Sequence, residues 1–311
     1  MNSSFSIKNQ PNLQIAWDAT SLDLLKTCPR KYQLSILLGY TTHEQNIHLT
    51  FGILYHQAQD TFQMALSRGT DYDTAVKHVT KMLMTMTWDS QLDRPWSSDH
   101  PNKNRFTLIR SFVWWTEQYR NDPIKTLVFD GRPAVELSFQ FQSSYSANTG
   151  EPFIICGHLD RVVDLNSHIY IKDYKTTKYA IGTEFFEYYS PDNQMSLYSF
   201  AGQVIYNSRV EGVIIDAAQV MVEFTRFRRG FAPRTQDQLN EWYKELGEHW
   251  LPMAEWYAHH EHWPMNDTAC GRYGGCQFRG ICGKDPKVRD TWLKAGFKTR
   301  IWDPLKVRGD I

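Results

Sequence analysis

No stretch of this chain approaches the ~20 consecutive apolar residues that a membrane-crossing helix needs. The N-terminus, Met1-Asn2-Ser3-Ser4-Phe5, lacks the basic start and apolar run of a secretory signal. Neither sign of charge dominates: 34 Lys and Arg balance 34 Asp and Glu. Composition is therefore neutral on a nucleic-acid partner, and a local basic surface is still compatible with one. Cysteine is scarce. There are five (Cys28, Cys156, Cys270, Cys276 and Cys282), and an odd number in a large chain without a signal sequence argues against a disulfide framework, leaving metal binding or burial. No Gly-rich Walker-type Lys motif occurs, so ATP-driven movement would come from another protein. Internal repeats and low-complexity segments are absent too. These absences set the expectation of a soluble, cytoplasmic protein with no membrane partner.

Apolar residues make up 41% of the 311 and aromatics 14%, including 11 Trp, enough for a sizeable core and against disorder. Ser21 reads as the N-cap of a first helix and Pro29 as the start of a second helical segment, with Leu22, Leu25, Leu34, Leu37 and Leu38 marking buried faces. Helices are expected near 49–66, 72–88 and 103–121, strands near 126–129 and 134–142, and one further helix over 235–257. Ser190-Pro191-Asp192 reads as a helix start with Pro at the first position. A largely buried strand is expected from Val210 to Phe224.

The densest chemistry lies in Gly157-His158-Leu159-Asp160-Arg161 and Tyr170-Ile171-Lys172-Asp173-Tyr174-Lys175-Thr176. Apolar alternation makes both segments strands, joined by a turn at Asn166-Ser167. Asp173 and Lys175, at i and i+2, share a strand face. A hairpin then sets Asp160 beside Asp173, so two carboxylates and an ammonium converge. Carboxylate oxygens suit Mg²⁺ or Mn²⁺, and the Lys can orient water or neutralise charge on a phosphoryl oxygen. Alone, an Asp and a Lys on a strand are ordinary surface charges. Their company elsewhere in the chain decides the reading.

That company is Gly52-x3-His56 upstream and Gln194-x3-Tyr198 downstream, each pair four apart on one helical face. Taken in order with Gly157-x2-Asp160 and Asp173-x-Lys175, they resemble the RecB-type nucleases of the PD-(D/E)XK superfamily. Cys28-Pro29-Arg30-x-Tyr32 and the three clustered downstream cysteines resemble that superfamily's iron–sulfur branch, which includes AddB nuclease domains and CRISPR-associated adaptation nucleases. The resemblance spans about residues 20–285. It implies that His56, Asp160 and Asp173, with the Tyr174 carbonyl, bind a catalytic Mg²⁺ or Mn²⁺. It further implies that Lys175 positions the attacking water, and that Gln194 and Tyr198 orient Lys175 or the phosphate. Asp60, one turn after His56, is a candidate for binding the metal through water or for orienting His56.

Cys270-x5-Cys276-x5-Cys282 lies in a Gly-rich stretch that lets backbone wrap closely round a cluster, and Cys28 makes a fourth thiolate. Four thiolates suit an iron–sulfur cluster or structural Zn²⁺. The resemblance favours a 4Fe–4S cluster, although relatives usually carry Cys-x2-Cys-x5-Cys. Cys156, on an apolar strand, reads as a buried small hydrophobe. Arg226, Arg228 and Arg229, interleaved with Phe224, Phe227 and Phe231, are candidate single-strand contacts. A second candidate is the tail 285–311. Trp114 and Trp115 read as helix core.

The chain is thus expected to be α/β: one nuclease domain over 1–311, with a restriction-endonuclease-like mixed sheet flanked by helices. A helical insertion (57–122), a metal-cluster segment (266–284) closed by Cys28, and the basic tail complete it. The implied function is metal-dependent hydrolysis of DNA, more in the manner of an exonuclease on single strands or ends. Recombination, repair or replication would be the setting, with a helicase or recombination protein as candidate partner. The rival is a non-catalytic DNA-binding or scaffold protein that keeps the fold and clasp. The joint presence of His56, Asp160, Asp173 and Lys175 speaks against it.

Overall fold

The computed structural model describes residues 6–7, 10–43, 46–96, 100–271 and 275–306. A short strand β1 (Ala16–Trp17) precedes α1 (Ala19–Thr27). The cap of α1 is Asp18, not Ser21. Asp18 accepts from the Ser21 N–H while the Ser21 hydroxyl accepts from the Asp18 N–H, a reciprocal box that places Ser21 inside the first turn. Three helices follow: α2 (Ile47–Ser67), α3 (Tyr72–Met86) and α4 (Arg105–Gln118). The strands are β2 (Lys125–Thr126), β3 (Val135–Ser146), β4 (Pro152–Leu165) and β5 (His168–Thr177). Then come α5 (Asn193–Tyr206), β6 (Val210–Val220) and β7 (Thr225–Pro233). Asp192, accepting from the Met195 N–H, caps α5, so Pro191 lies outside the helix rather than at its first position. The helix expected over 235–257 is present as one helical run, α6 (Gln236–Glu245) and α7 (Leu251–His259) joined through one wide turn at Leu246–Trp250. Pro252 has no N–H to give to an α-helical bond there. Last is α8 (Pro286–Gly296).

The chain packs as two compact units. The first comprises residues 1–44, 138–157 and 236–307, and the second 45–137, 158–235 and 308–311. In the first, β1 runs parallel to the start of β4, Ile154 opposite Ala16 and Ile155 opposite Trp17. The Trp17 ring stacks on Tyr32 at 5.4 Å. A separate apolar cluster of Leu34, Phe278, Ile281 and Leu293 receives Cys276 and Cys282.

In the second unit β4 pairs antiparallel with β5, β5 parallel with β6, and β6 antiparallel with β7. A parallel pair needs a crossover, and α5 supplies it between β5 and β6. Gly202 lets α5 lie close on the sheet: a Cβ there would sit 2.8 Å from Ile171 Cδ1. Helices α2, α3 and α4 bury Phe51, Tyr55, Phe62, Val79, Leu83, Leu108, Phe112 and Trp115 together with Tyr174, Ala218 and Val220 of the sheet. Arg226–Gly230, whose arginines are candidate single-strand contacts, lies within β7 and pairs along β6.

Charge is buried in this unit at places no local pattern foretells. Lys172 Nζ lies 2.7 Å from Asp216 Oδ2, and Arg229 Nε lies 3.0 Å from the same oxygen. The Arg229 fork grips Asp122 with bonds of 2.8 and 2.6 Å. The Trp115 indole N–H donates to Asp216 at 3.2 Å. Burial outweighs Asp216 at Lys172 and pushes its amine down to about 7.

Two stability outcomes are expected. Asp216→Ala leaves Lys172 and Arg229 without their shared carboxylate and should cost about 3–5 kcal/mol in denaturant unfolding. Gly212 has φ +143°, and a Cβ there would run into the Ala232 carbonyl. Gly212→Ala should therefore cost about 2 kcal/mol or more. An unfolding midpoint unchanged in either variant would contradict the packing described.

Candidate active site

The β4–β5 ladder runs up to Arg161 opposite Lys172; Asp160 and Asp173 are the next residues of the two strands, and the charge of Asp160 acts on Asp173. Directly opposed residues of an antiparallel pair point the same way, so the two carboxylates stand side by side. Asp160 is 6% and Asp173 1% exposed. Strand alternation separates the rest: Lys172 and Tyr174 turn toward the Trp115 side of the sheet, whereas Lys175 reaches α5.

Each carboxylate is held by a cation of the chain. His56, on α2, sets Nδ1 3.1 Å from Asp160 Oδ2, and the same oxygen accepts from the Tyr174 N–H at 3.2 Å. The His56 ring meets the Tyr174 ring edge-on at 5.9 Å. Lys175 Nζ lies 2.7 Å from Asp173 Oδ2 and donates to Gln194 Oε1 at 3.0 Å. The Gln194 Nε2 donates in turn to the Tyr198 hydroxyl at 2.9 Å. One chain of contacts therefore runs from Asp173 through Lys175 and Gln194 to Tyr198, and α5 presents both of its members because they are one turn apart.

The electrostatics divide the carboxylates. Burial raises Asp173 above the usual carboxylate range, the nearby Asp160 charge adding to it against Lys175. Burial would raise Asp160 as well, but His56 and Lys175 outweigh it and hold the group low. At His56 burial pulls down and Asp160 pulls harder the other way, so the imidazole sits above its ordinary value. Lys175 is held well above its ordinary value, the two aspartates overcoming desolvation.

Among the described residues no three His, Cys, Asp or Glu side chains are arranged to hold an ion. The chemistry of the donors nonetheless fits a divalent cation. Asp173 Oδ1 is buried and accepts no hydrogen bond among the described residues. Two carboxylates and an imidazole are oxygen and nitrogen donors of the kind Mg²⁺ and Mn²⁺ accept. Asp60 is buried on α2, one turn beyond His56.

All five thiols are free. Cys28 is buried and its sulfur accepts from the Asn266 N–H at 3.4 Å. The Cys276 N–H donates to the Cys270 carbonyl at 2.9 Å. Burial raises the Cys282 thiol, Arg30 opposes it through a hydrogen bond, and Cys276 and Cys28 lie close enough to add to it. The first unit thus draws together cysteines more than 240 residues apart in sequence. Residues 272–274, inside the cysteine segment, lie outside the described residues. Cys156 is buried, and that burial pushes its thiol up.

The nucleic-acid candidates fare unevenly. Arg229 is turned inward onto Asp122 and Asp216, Arg228 donates to the Ile181 carbonyl, and Arg226 lies over the Phe224 ring. Trp115 is core, but Trp114 is 41% exposed with Arg110 over its ring. The tail is partly structured as α8. Sequence reading missed Asp122, Lys172 and Asp216. Lys172 carried a faint signal, as a charged residue inside an otherwise apolar strand. Asp216 sits in the apolar run of β6, and nothing local names its partners.

No curated protein matches the chain in sequence. Among solved structures it is similar to a "Putative exonuclease" from Eubacterium rectale, at 12% identity and a TM-score of 0.49, covering 94% of this chain and 97% of that one. It is also similar to a protein named SSO0001, at 10% identity and a TM-score of 0.30, covering 74% of each chain. No helix among the described residues is long and apolar enough to cross a membrane. The family model of the PD-(D/E)XK nuclease superfamily matches residues 16–283. Most of the chain is thus accounted for by one family, and the protein belongs to the PD-(D/E)XK nuclease superfamily.

Proposed function

We propose that this protein is a divalent-metal-dependent deoxyribonuclease acting as an exonuclease on single strands or DNA ends, in recombination, repair or replication. The observation that carries the reading is the placement of Asp160 beside Asp173 with Lys175 against them and tethered to α5. Preference for DNA ends, and association with a helicase or recombination protein, rest on the resemblance to RecB-type nucleases.

His56, Asp160 and Asp173, with the Tyr174 carbonyl, would hold Mg²⁺ or Mn²⁺. A bound cation supplies Lewis acidity toward the phosphoryl oxygen and lowers the pKa of attacking water. Lys175 orients that water and offsets charge growing on the phosphate in the transition state. Gln194 fixes the Lys175 ammonium, and Tyr198 fixes Gln194, so the amine does not have to be ordered at the moment of reaction. Cys28, Cys270, Cys276 and Cys282 would ligate a 4Fe–4S cluster, with structural Zn²⁺ as the alternative for the same thiolates.

Labelled single-stranded DNA incubated with Mn²⁺ should be degraded by the wild type and spared when EDTA is added. Lys175→Ala and Asp173→Ala should each lose about 10²-fold or more in rate, and Gln194→Ala about tenfold. Cleavage indifferent to both of the first two changes would remove the proposed site, and no cleavage by the metal-loaded wild type would leave a DNA-binding or scaffold role. Anaerobically purified protein should be brown, absorb broadly in the visible and contain about four iron and four sulfide per chain. Colourless protein with stoichiometric zinc would assign the thiolates to Zn²⁺ instead.

A further inference from the structure

Helix α2 carries more than His56 on its exposed side. Positions 48, 52 and 56 are four apart, so His48, Gly52 and His56 climb one side of the helix. Gly52 is not required for packing, since a Cβ there would meet nothing within 4 Å. The helix surface between the two imidazoles is therefore open.

At its far end basic groups gather. The His48 and His100 rings meet edge to face at 4.8 Å. Lys103, only 3% exposed, sets its Nζ over the Phe51 ring at 4.1 Å from the centroid. That amine makes no hydrogen bond among the described residues. Lys178, three residues beyond Lys175, acts on the same place: burial and then the charges of His100, Lys103 and Lys178 push the His48 imidazole down. Among the described residues no carboxylate is one of the groups that shift His48 or Lys103.

A buried ammonium facing only an aromatic ring is poorly compensated. The cation–π attraction returns only part of what taking an ion out of water costs. Burial accordingly lowers the Lys103 amine to about 8. An anion arriving beside it would restore the missing partner, and phosphate oxygens accept from ammonium and imidazole donors alike.

We propose that His48, His100, Lys103 and Lys178 form a phosphate-binding subsite for the DNA strand, reached from His56 across the open face at Gly52. This rests on the nuclease reading above and adds to it where a second phosphate of the substrate is held. Eight residues of helix at ~1.5 Å each separate His48 from His56 by on the order of 12 Å. That span exceeds one nucleotide step of a strand, whose duplex rise is ~3.4 Å, so the subsite would hold a phosphate other than the one being cut. The bound group is a phosphate, either a backbone diester or a terminal monoester, and the two are separable by experiment.

The test uses the full chain and a labelled single-stranded oligodeoxynucleotide. Binding is followed by anisotropy in a Lys175→Ala background, and cleavage with Mn²⁺ in the wild-type background. Lys103→Gln, and separately the exposed pair His48→Asn with Lys178→Ser, should each weaken binding about fivefold or more. Each should also flatten the dependence of log affinity on log salt by about 0.7 for every phosphate that is no longer gripped. With a single neutral methylphosphonate walked over the first four phosphates from the cut, one position other than the scissile one should weaken the wild type to the same degree and add nothing to Lys103→Gln. Loss on replacing a 5′-phosphate by a 5′-hydroxyl would instead assign the terminal group.

Folded variants with unchanged affinity and salt slope would overturn the subsite. Should Lys103→Gln fail to fold, the surface pair decides alone. Wild-type cleavage without any of these dependences removes the subsite and leaves the nuclease. Binding that shows them without cleavage removes the nuclease and leaves the subsite, and absence of both binding and cleavage removes both.

Discussion

Two carboxylates taken out of water side by side repel each other, and each resists ionisation unless positive charge is brought to it. Asp160 and Asp173 are in that position, and the second unit is arranged around holding them there. Strands β4 and β5 pair antiparallel up to Arg161 and Lys172, the residues next to the two aspartates, and Asp160 accepts from the Tyr174 N–H beside Asp173. Helix α2 supplies an imidazole to one, and the strand itself supplies an ammonium to the other. The crossover helix α5, required by the parallel β5–β6 pair, supplies the amide that fixes the ammonium. The fold's topology and the site's chemistry are thus the same constraint seen twice.

Strand β5 buries charge on both of its faces, by different means. On one side Asp173 pairs with Lys175 through one oxygen, and its other oxygen is buried and accepts no hydrogen bond among the described residues. On the other, Lys172 joins Asp216, Arg229, Asp122 and the Trp115 indole in a network where two acids meet two bases. That network leaves Arg229 no freedom to grip a phosphate. Lys103 differs from both: it is buried over the Phe51 ring and its amine makes no hydrogen bond among the described residues.

Much of the site was legible because its residues lie in short segments with a fixed period. Asp173 and Lys175 on one face follow from the pleat, and Gln194 with Tyr198 from the helical turn. Helix starts were read less well. Ser21 and Ser190 were plausible caps by type, yet Asp18 and Asp192 took the role, since several polar residues near a helix start compete and only backbone geometry chooses. The helix over 235–257 was legible from its apolar period, and Pro252 accounts only for the one wide turn inside it. Trp114 and Trp115 show the limit of composition: adjacent on one helix, they point about 100° apart, and only one meets the core.

The sequence by itself determined the family's motifs, the mixed α/β character, and the pairing of residues within single elements, because these depend on spacings of two to four residues that backbone geometry fixes. Tertiary structure alone decided which long-range partners meet. Lys172, Asp216, Arg229 and Asp122 come from four places in the chain, and Cys28 reaches the surroundings of Cys276 and Cys282 only through folding of the first unit. Such meetings carry no local signature, since any of these residue types is equally at home on a solvated surface. Packing decides whether a charge stays in water or is enclosed with its opposite.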